Sequence, residues 1–178
     1  MTNEIFKVFI LEDMPVDLEL IKRQVRKFNA AVLFAVARNR TEFEDKVVAF
    51  QPDVILSDYN LPDMNGLEAL LHVRQHLDAT PFVFITGILN DEEKVAETIL
   101  RGASGYLLKE NLKNLPELLR EVINRSAQTL QEREAEWERR RSNQLALQRS
   151  IARLREADFA GRDEMIDSLR QVADSLLA

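Results

Sequence analysis

The chain has 178 residues, 46% hydrophobic and 30% charged, with a formal net charge of −6 and no cysteine. That length suits one ordinary domain plus an appendage, and that composition suits a real core rather than a disordered chain. Disulfides, thiolate metal sites and Cys nucleophiles are excluded, and the acidic balance argues against a general nucleic-acid binder. The opening Met1-Thr-Asn-Glu-Ile-Phe-Lys7 lacks a basic n-region and an apolar h-region. No apolar stretch reaches the ~18–20 residues of a membrane span, so a cytoplasmic protein with no membrane partner is expected. Charge divides unevenly. Residues 1–125 hold 15 Lys/Arg against 20 Asp/Glu, while residues 126–178 hold 9 against 10.

Phe6-Lys-Val-Phe-Ile-Leu11 reads as a first strand, tipped by Glu12-Asp13. Pro15 suits the first turn of a helix, and Val16, Leu20, Ile21, Val25 and Phe28 follow at helical spacing, with Asn29 at the end. Ala31–Ala37 reads as a second strand. Thr41 with Glu44 three residues on has the pattern of a capping box, for a helix that ends at Gln51-Pro52. Val54-Ile-Leu-Ser57 is a buried strand that delivers Asp58 to its tip, before the loop Tyr59-Asn-Leu-Pro-Asp-Met-Asn-Gly66.

Gly66–His76 reads as a third helix. Pro81–Ile85 is a fourth strand tipped by Thr86-Gly87, and a fourth helix opens at Asp91 and stops at Gly102. Ser104–Leu108 is a fifth strand tipped by Lys109, and a fifth helix begins near Leu115-Pro116. Five βα units with strands apolar on both faces imply a doubly wound five-stranded parallel sheet covered by helices. After Leu115 there is no further strand, and no Gly or Pro beyond Pro116 until Gly161. A fifth helix unbroken to about Asp158 is ~44 residues, or ~66 Å. A domain of ~120 residues, with a radius of gyration of ~14 Å, cannot cover that length. The expected division is therefore 1–125 and a helical extension over 126–178, with a break near Gly161. The last segment, Asp163–Leu177, carries Ile166, Leu169, Val172 or Ala173, and Leu176 on one face.

The strand tips collect Glu12, Asp13, Asp58, Thr86 and Lys109 at one rim, where ligands gather in open α/β sheets. Three carboxylates together repel unless compensated. Mg²⁺ resolves the conflict, because it takes oxygen ligands from one or two carboxylates plus phosphate. The hydroxyl and the ammonium supply donors for an anion. A carboxylate nucleophile in such company suits acyl phosphate formation.

With these residues in place the sequence resembles the receiver domain of two-component response regulators. The matching stretches are Leu11-Glu12-Asp13, Ser57–Gly66, Thr86-Gly87 and Gly102-Ala-Ser-Gly-Tyr-Leu-Leu-Lys109, spanning residues 5 to about 125. The resemblance implies a flavodoxin-like fold. It makes Asp58 the phosphoacceptor, fed by a phosphohistidine of a sensor histidine kinase or phosphotransfer protein. It makes Asp13, Asp58 and the backbone carbonyl of Asn60 the Mg²⁺ ligands, with Glu12 acting through water. Lys109 and Thr86 would bind the phosphoryl oxygens, and Tyr106 would be the switch aromatic. The output face would be the fourth helix, fifth strand and fifth helix. One departure stands out, since Glu110 follows Lys109 where the family usually has Pro in a cis bond. A non-Pro cis bond costs ~2.5–4 kcal/mol, so either this bond is trans or the loop stores strain.

His72 and His76, four apart, read as a helix face rather than a metal pair. Arg139-Arg-Arg141 is interleaved with Glu132, Glu134, Glu136 and Glu138 and reads as a solvated face. Leu147, Ile151 and Leu154 at 4-3 spacing suggest a partly paired, parallel coiled coil and a homodimer. The charged stretch 131–141 argues against a full two-stranded zipper. No output enzyme is expected within these residues. The alternative is the N-terminal part of a longer signalling enzyme, a hybrid kinase or a cyclic-dinucleotide cyclase. An Asp-nucleophile hydrolase would need Asp where Asn60 stands. A transcription factor would need a compact trihelical unit with a basic recognition helix.

Overall fold

The computed structural model describes residues 5–87, 99–156 and 162–175. Residues 1–127 and 128–178 form two compact units.

In the first unit, five strands form one sheet: β1 (Phe6–Leu11), β2 (Val32–Ala37), β3 (Val54–Ser57), β4 (Phe82–Thr86) and β5 (Gly105–Leu108). Their order is β2-β1-β3-β4-β5, and every pairing is parallel. The helices are α1 (Pro15–Phe28), α2 (Arg40–Phe50), α3 (Gly66–His76) and α4 (Leu115–Glu156), the fifth helix expected from sequence. The helix expected from Asp91 lies largely outside the described residues.

Alternation along the strands divides the core in two. Val8 and Ile10 of β1 join Leu18, Ile21 and Val25 of α1 and Leu115, Leu119 and Val122 of α4. Phe9 and Leu11 face the other way, onto Phe43 and Val47 of α2 and Ala69, Leu70 and Val73 of α3. Successive strand residues point to opposite faces, so a sheet buried on both sides needs apolar residues throughout. β3 and β4 are buried at every position and apolar up to their last residues, Ser57 and Thr86.

The ends of the elements bear on the site. Asn65 caps α3, its side chain accepting from the Glu68 N–H at 2.9 Å. For α2 the cap is Asn39 rather than Thr41. The Asn39 side chain takes the Glu42 N–H at 2.9 Å, and the Glu42 carboxylate takes the Arg38 N–H at 3.3 Å. The cap therefore stands two residues earlier than the Thr41–Glu44 pattern suggests, because Asn accepts at an N-cap at least as well as Thr. Gln51 ends α2 in the left-handed region at φ 51.

In the second unit, the distal part of α4 precedes α5 (Arg162–Ser175). The expected break at Gly161 lies outside the described residues. Ile151 and Ile166 are buried, whereas Leu130, Trp137, Leu145 and Met165 are exposed.

Candidate functional site

β1 and β3 are neighbours, so their tips stand side by side. The Asp58 N–H donates to the Leu11 carbonyl at 2.9 Å, which carries the ladder one residue past β3. Glu12 likewise donates its N–H to the Ala37 carbonyl at 3.1 Å. These backbone bonds fix where the two side chains start. Ligand oxygens of Glu12, Asp13 and Asp58 then lie within 4.8 Å of one another.

Glu12 is fully buried and Asp58 nearly so. Glu12 Oε1 accepts the Met14 N–H at 3.1 Å. Its Oε2 lies 2.8 Å from Lys109 Nζ, an ion-pair distance, but off-line for a well-formed hydrogen bond. Burial pushes the Glu12 carboxyl above the usual carboxylate range, and Lys109 and the Met14 N–H offset this only in part. Asp58 Oδ1 accepts the Asn60 N–H at 3.2 Å, and its Oδ2 takes Lys109 at 2.7 Å. Burial works to lower the Lys109 pKa. The hydrogen bonds to Asp17 and Asp58 and the close Glu12 carboxylate outweigh it and hold the ammonium above the usual lysine range.

The loop after Asp58 is tight. Asn60 and Asn65 form an antiparallel bridge, and the Gly66 N–H donates to the Tyr59 carbonyl at 2.7 Å. Buried Met64 anchors the loop to the core between α2 and α3. Thr86 ends β4, buried, and pairs in register with Leu108, the residue before Lys109. Tyr106 pairs in register with Phe84 and packs half-buried against the α2–α3 side of the core. Burial raises its hydroxyl pKa, and the Asp58 charge adds to the effect.

Glu12, Asp13, Asp58, Asn60, Thr86 and Lys109 thus fall at or just beyond the C-terminal edge of the sheet, while Tyr106 lies within β5, two residues before its end. Glu12, Asp13, Asp58 and Lys109 are brought into one cluster. The Lys109–Glu110 bond is trans. Lys109–Asn114 forms a short 3-10 turn, with Leu112 buried as its anchor. The histidines behave as a helix face: His76 Nδ1 lies 2.8 Å from the His72 carbonyl, and the two rings stack.

One participant escaped the sequence reading. Asp17 Oδ2, in the first turn of α1, takes a hydrogen bond from Lys109 Nζ at 2.7 Å. An acid in a first helical turn is ordinary, and only its position four residues beyond Asp13 on the same rim hinted at more.

Three oxygen donors so close, two of them on buried residues, make a hard-ligand set that fits a divalent cation such as Mg²⁺. Lys109 compensates part of their charge.

A model of the response regulator receiver domain family matches residues 8–122. The nitrate/nitrite response regulator protein NarL of Escherichia coli K12 is 30% identical over 103 residues, covering 58% of this chain and 47% of NarL. The transcriptional regulatory protein YdfI of Bacillus subtilis is 33% identical over 104 residues, covering 58% of this chain and 48% of YdfI. The chain spans about half the length of these relatives. The CheY-like response regulator receiver domain protein of Methanospirillum hungatei shares the fold. Its TM-score is 0.63 at 22% identity, over 71% of this chain and 99% of that one. The matched span runs from within β1 into α4 and takes in all five strand tips, and on that ground this chain belongs to the receiver domain family of two-component response regulators.

Proposed function

We propose that the chain is a phosphorylation-responsive receiver in which Asp58 is the phosphoacceptor. Three carboxylates within 4.8 Å of one another, with the Lys109 ammonium on two of them, carry the proposal. The donor is a phosphohistidine of a sensor histidine kinase or phosphotransfer protein. An Asp58 carboxylate oxygen bonds to phosphorus as the donor's phosphorus–nitrogen bond breaks. The imidazole leaves with the bonding pair and takes up a proton. A bound Mg²⁺, held by Asp13, Asp58 and the Asn60 carbonyl with Glu12 acting through water, would neutralise charge and polarise the phosphoryl oxygens. Lys109 exchanges its contact with Asp58 for a phosphoryl oxygen, and the Thr86 hydroxyl donates to another.

Residues 1–125 are the receiver and 126–178 its helical extension. Acyl phosphate formation shifts a pre-existing two-state equilibrium. Thr86 moves toward the phosphoryl group, Tyr106 turns inward, and the signal leaves through the face of the fourth predicted helix, β5 and the start of α4. The extension passes it on by pairing with a second copy. Exposed Leu130 and Trp137, seven residues apart, support pairing, since they leave an apolar seam uncovered at heptad spacing. The protein acts in the cytoplasm and binds neither nucleic acid nor membrane through these residues.

A second reading keeps the receiver and makes residues 126–178 a linker to a further output, a kinase or cyclase. It is favoured by the chain spanning only about half of the relatives it matches.

The test is incubation with Mg²⁺ and acetyl phosphate, followed by intact mass. The expected result is a single phosphoryl increment that disappears in Asp58→Ala. No increment in the parent, or an undiminished one in the variant, overturns the proposal.

A further inference from the structure

Lys109 is the only cation on the three carboxylates Glu12, Asp17 and Asp58 among the described ion pairs, and two of its donors are committed to hydrogen bonds. An ammonium has three N–H donors. Nζ lies 2.7 Å from Asp17 Oδ2, 2.7 Å from Asp58 Oδ2 and 2.8 Å from Glu12 Oε2. The two well-directed hydrogen bonds go to Asp58 and to Asp17, so Asp17 holds the ammonium as closely as the phosphoacceptor does.

Asp17 is not part of the carboxylate group whose oxygens lie within 4.8 Å, which consists of Glu12, Asp13 and Asp58. Its charge is therefore placed to act on Lys109 rather than on a cation. The backbone holds it there firmly. Its neighbour Leu18 is buried in the same core as Leu112, inside the turn that begins at Lys109, and Leu115, just after it. Pro15 fixes the first turn of α1. The carboxylate sits near a helix N-terminus, where negative charge is favoured. It is 28% exposed and Lys109 16%, so water does not fully screen the pair.

We propose that Asp17 is a positioning residue that restrains Lys109 and sets how tightly the site grips a phosphoryl group. This rests on the receiver reading above. A phosphoryl oxygen on Asp58 must draw a donor from an ammonium already shared among three acids. Asp17 keeps one donor and part of the charge throughout, so Lys109 binds the incoming anion less strongly than it would alone. The consequence is a weaker hold on the phosphorylated state and a shorter lifetime for it.

The probe is beryllium fluoride with saturating Mg²⁺, a phosphoryl mimic read by equilibrium titration and by ¹⁹F NMR. Asp17→Asn keeps the shape and an acceptor and removes the charge. Its affinity for the probe should rise roughly two- to fivefold, the range of a partly exposed charge pair. The fluorine resonance facing Lys109 should shift. Asp17→Glu should restore both towards the parent, and Asp17→Ser carries the same comparison if the Asn variant fails to fold. An affinity for Asp17→Asn that is unchanged or weaker, with an unaltered ¹⁹F spectrum, overturns the proposal and leaves Asp17 as a tie between α1 and the turn after β5. Failure of the receiver reading looks different: the parent itself would bind no beryllium fluoride, and Asp58→Asn would change nothing.

Discussion

Gly66 stands so close to Phe84 that a Cβ placed on it would come within 2.5 Å of the Phe84 ring. The same Cβ would meet the Asp58 carbonyl and the Tyr59 Cα, each at 2.9 Å. The first residue of α3 is thus pressed against the loop that leaves Asp58. Phe84 is fully buried and the other two contacts are backbone, so none can yield cheaply. Gly66→Ala should destabilise the chain by about 1–3 kcal/mol, through overpacking. Urea denaturation measures this. It should also slow phosphoryl acceptance, because the displaced segment carries Asn60. A variant with parental stability would show that the loop is freer than the packing implies.

The buried acid Glu12 gives the fold a pH dependence. Its native pKa lies above the ordinary 4.5, chiefly through burial. Above pH 4.5 the native state therefore holds this proton more tightly than the unfolded chain does. Stability attributable to Glu12 is present below pH 4.5 and is lost as pH rises through the native pKa. Glu12→Gln removes that loss. The stability of the variant relative to the parent, in EDTA, should grow as pH rises from 4.5 and then level off. Paired urea titrations across this range measure it. A constant difference between the two proteins would mean that Lys109 compensates Glu12 fully.

Much of the site was legible because apolar runs ending in an acid, a hydroxyl or a Lys mark strand tips one by one. Asp58 could be placed from Val54–Ser57 alone, and parallel order brought Glu12 and Asp13 to it. Asp17 could not be placed this way. Its partner Lys109 is 92 residues distant, and local pattern carries no information on a pairing that depends on α1 packing against the turn after β5. The cap of α2 was missed for a different reason. Asn39-x-x-Glu42 and Thr41-x-x-Glu44 are both legitimate capping patterns, and only the backbone path decides between them. In the second unit the sequence showed Leu147, Ile151 and Leu154 at 4-3 spacing, but spacing does not say which members are covered. Ile151 is buried and Leu147 only partly so.

Divalent cations should stabilise the fold. A ligand that binds only the native state at ~100 times its Kd adds about 2.7 kcal/mol. The melting temperature should therefore climb with Mg²⁺ concentration. Asp13→Asn should raise the apparent Kd by roughly tenfold or more, since a cation held by few carboxylates loses one charge of three. Thermal melts over a Mg²⁺ series provide the measurement, with Ca²⁺ as a comparison for size. An identical response in Asp13→Asn would place the cation elsewhere.

Trp137 reports on the extension. It is the only tryptophan in the chain and 60% exposed, with the Arg141 guanidinium 5.3 Å from its ring centroid. Large exposed aromatics at heptad spacing are the anchors a pairing helix uses, and truncating such an anchor costs about 2 kcal/mol or more. If the extension pairs with a second copy, the emission of Trp137 shifts to the blue as protein concentration rises. Light scattering should then show a doubled mass, at lower concentration with beryllium fluoride and Mg²⁺ than without. Trp137→Ala should weaken the dimer by roughly thirtyfold, while phosphoryl acceptance at Asp58 stays at the parental level. Arg141→Ala, which strips the cation from the ring and leaves the apolar seam intact, should weaken pairing less. A monomer at every concentration, in both states, would exclude pairing through the extension and leave the second reading, a linker to a further output.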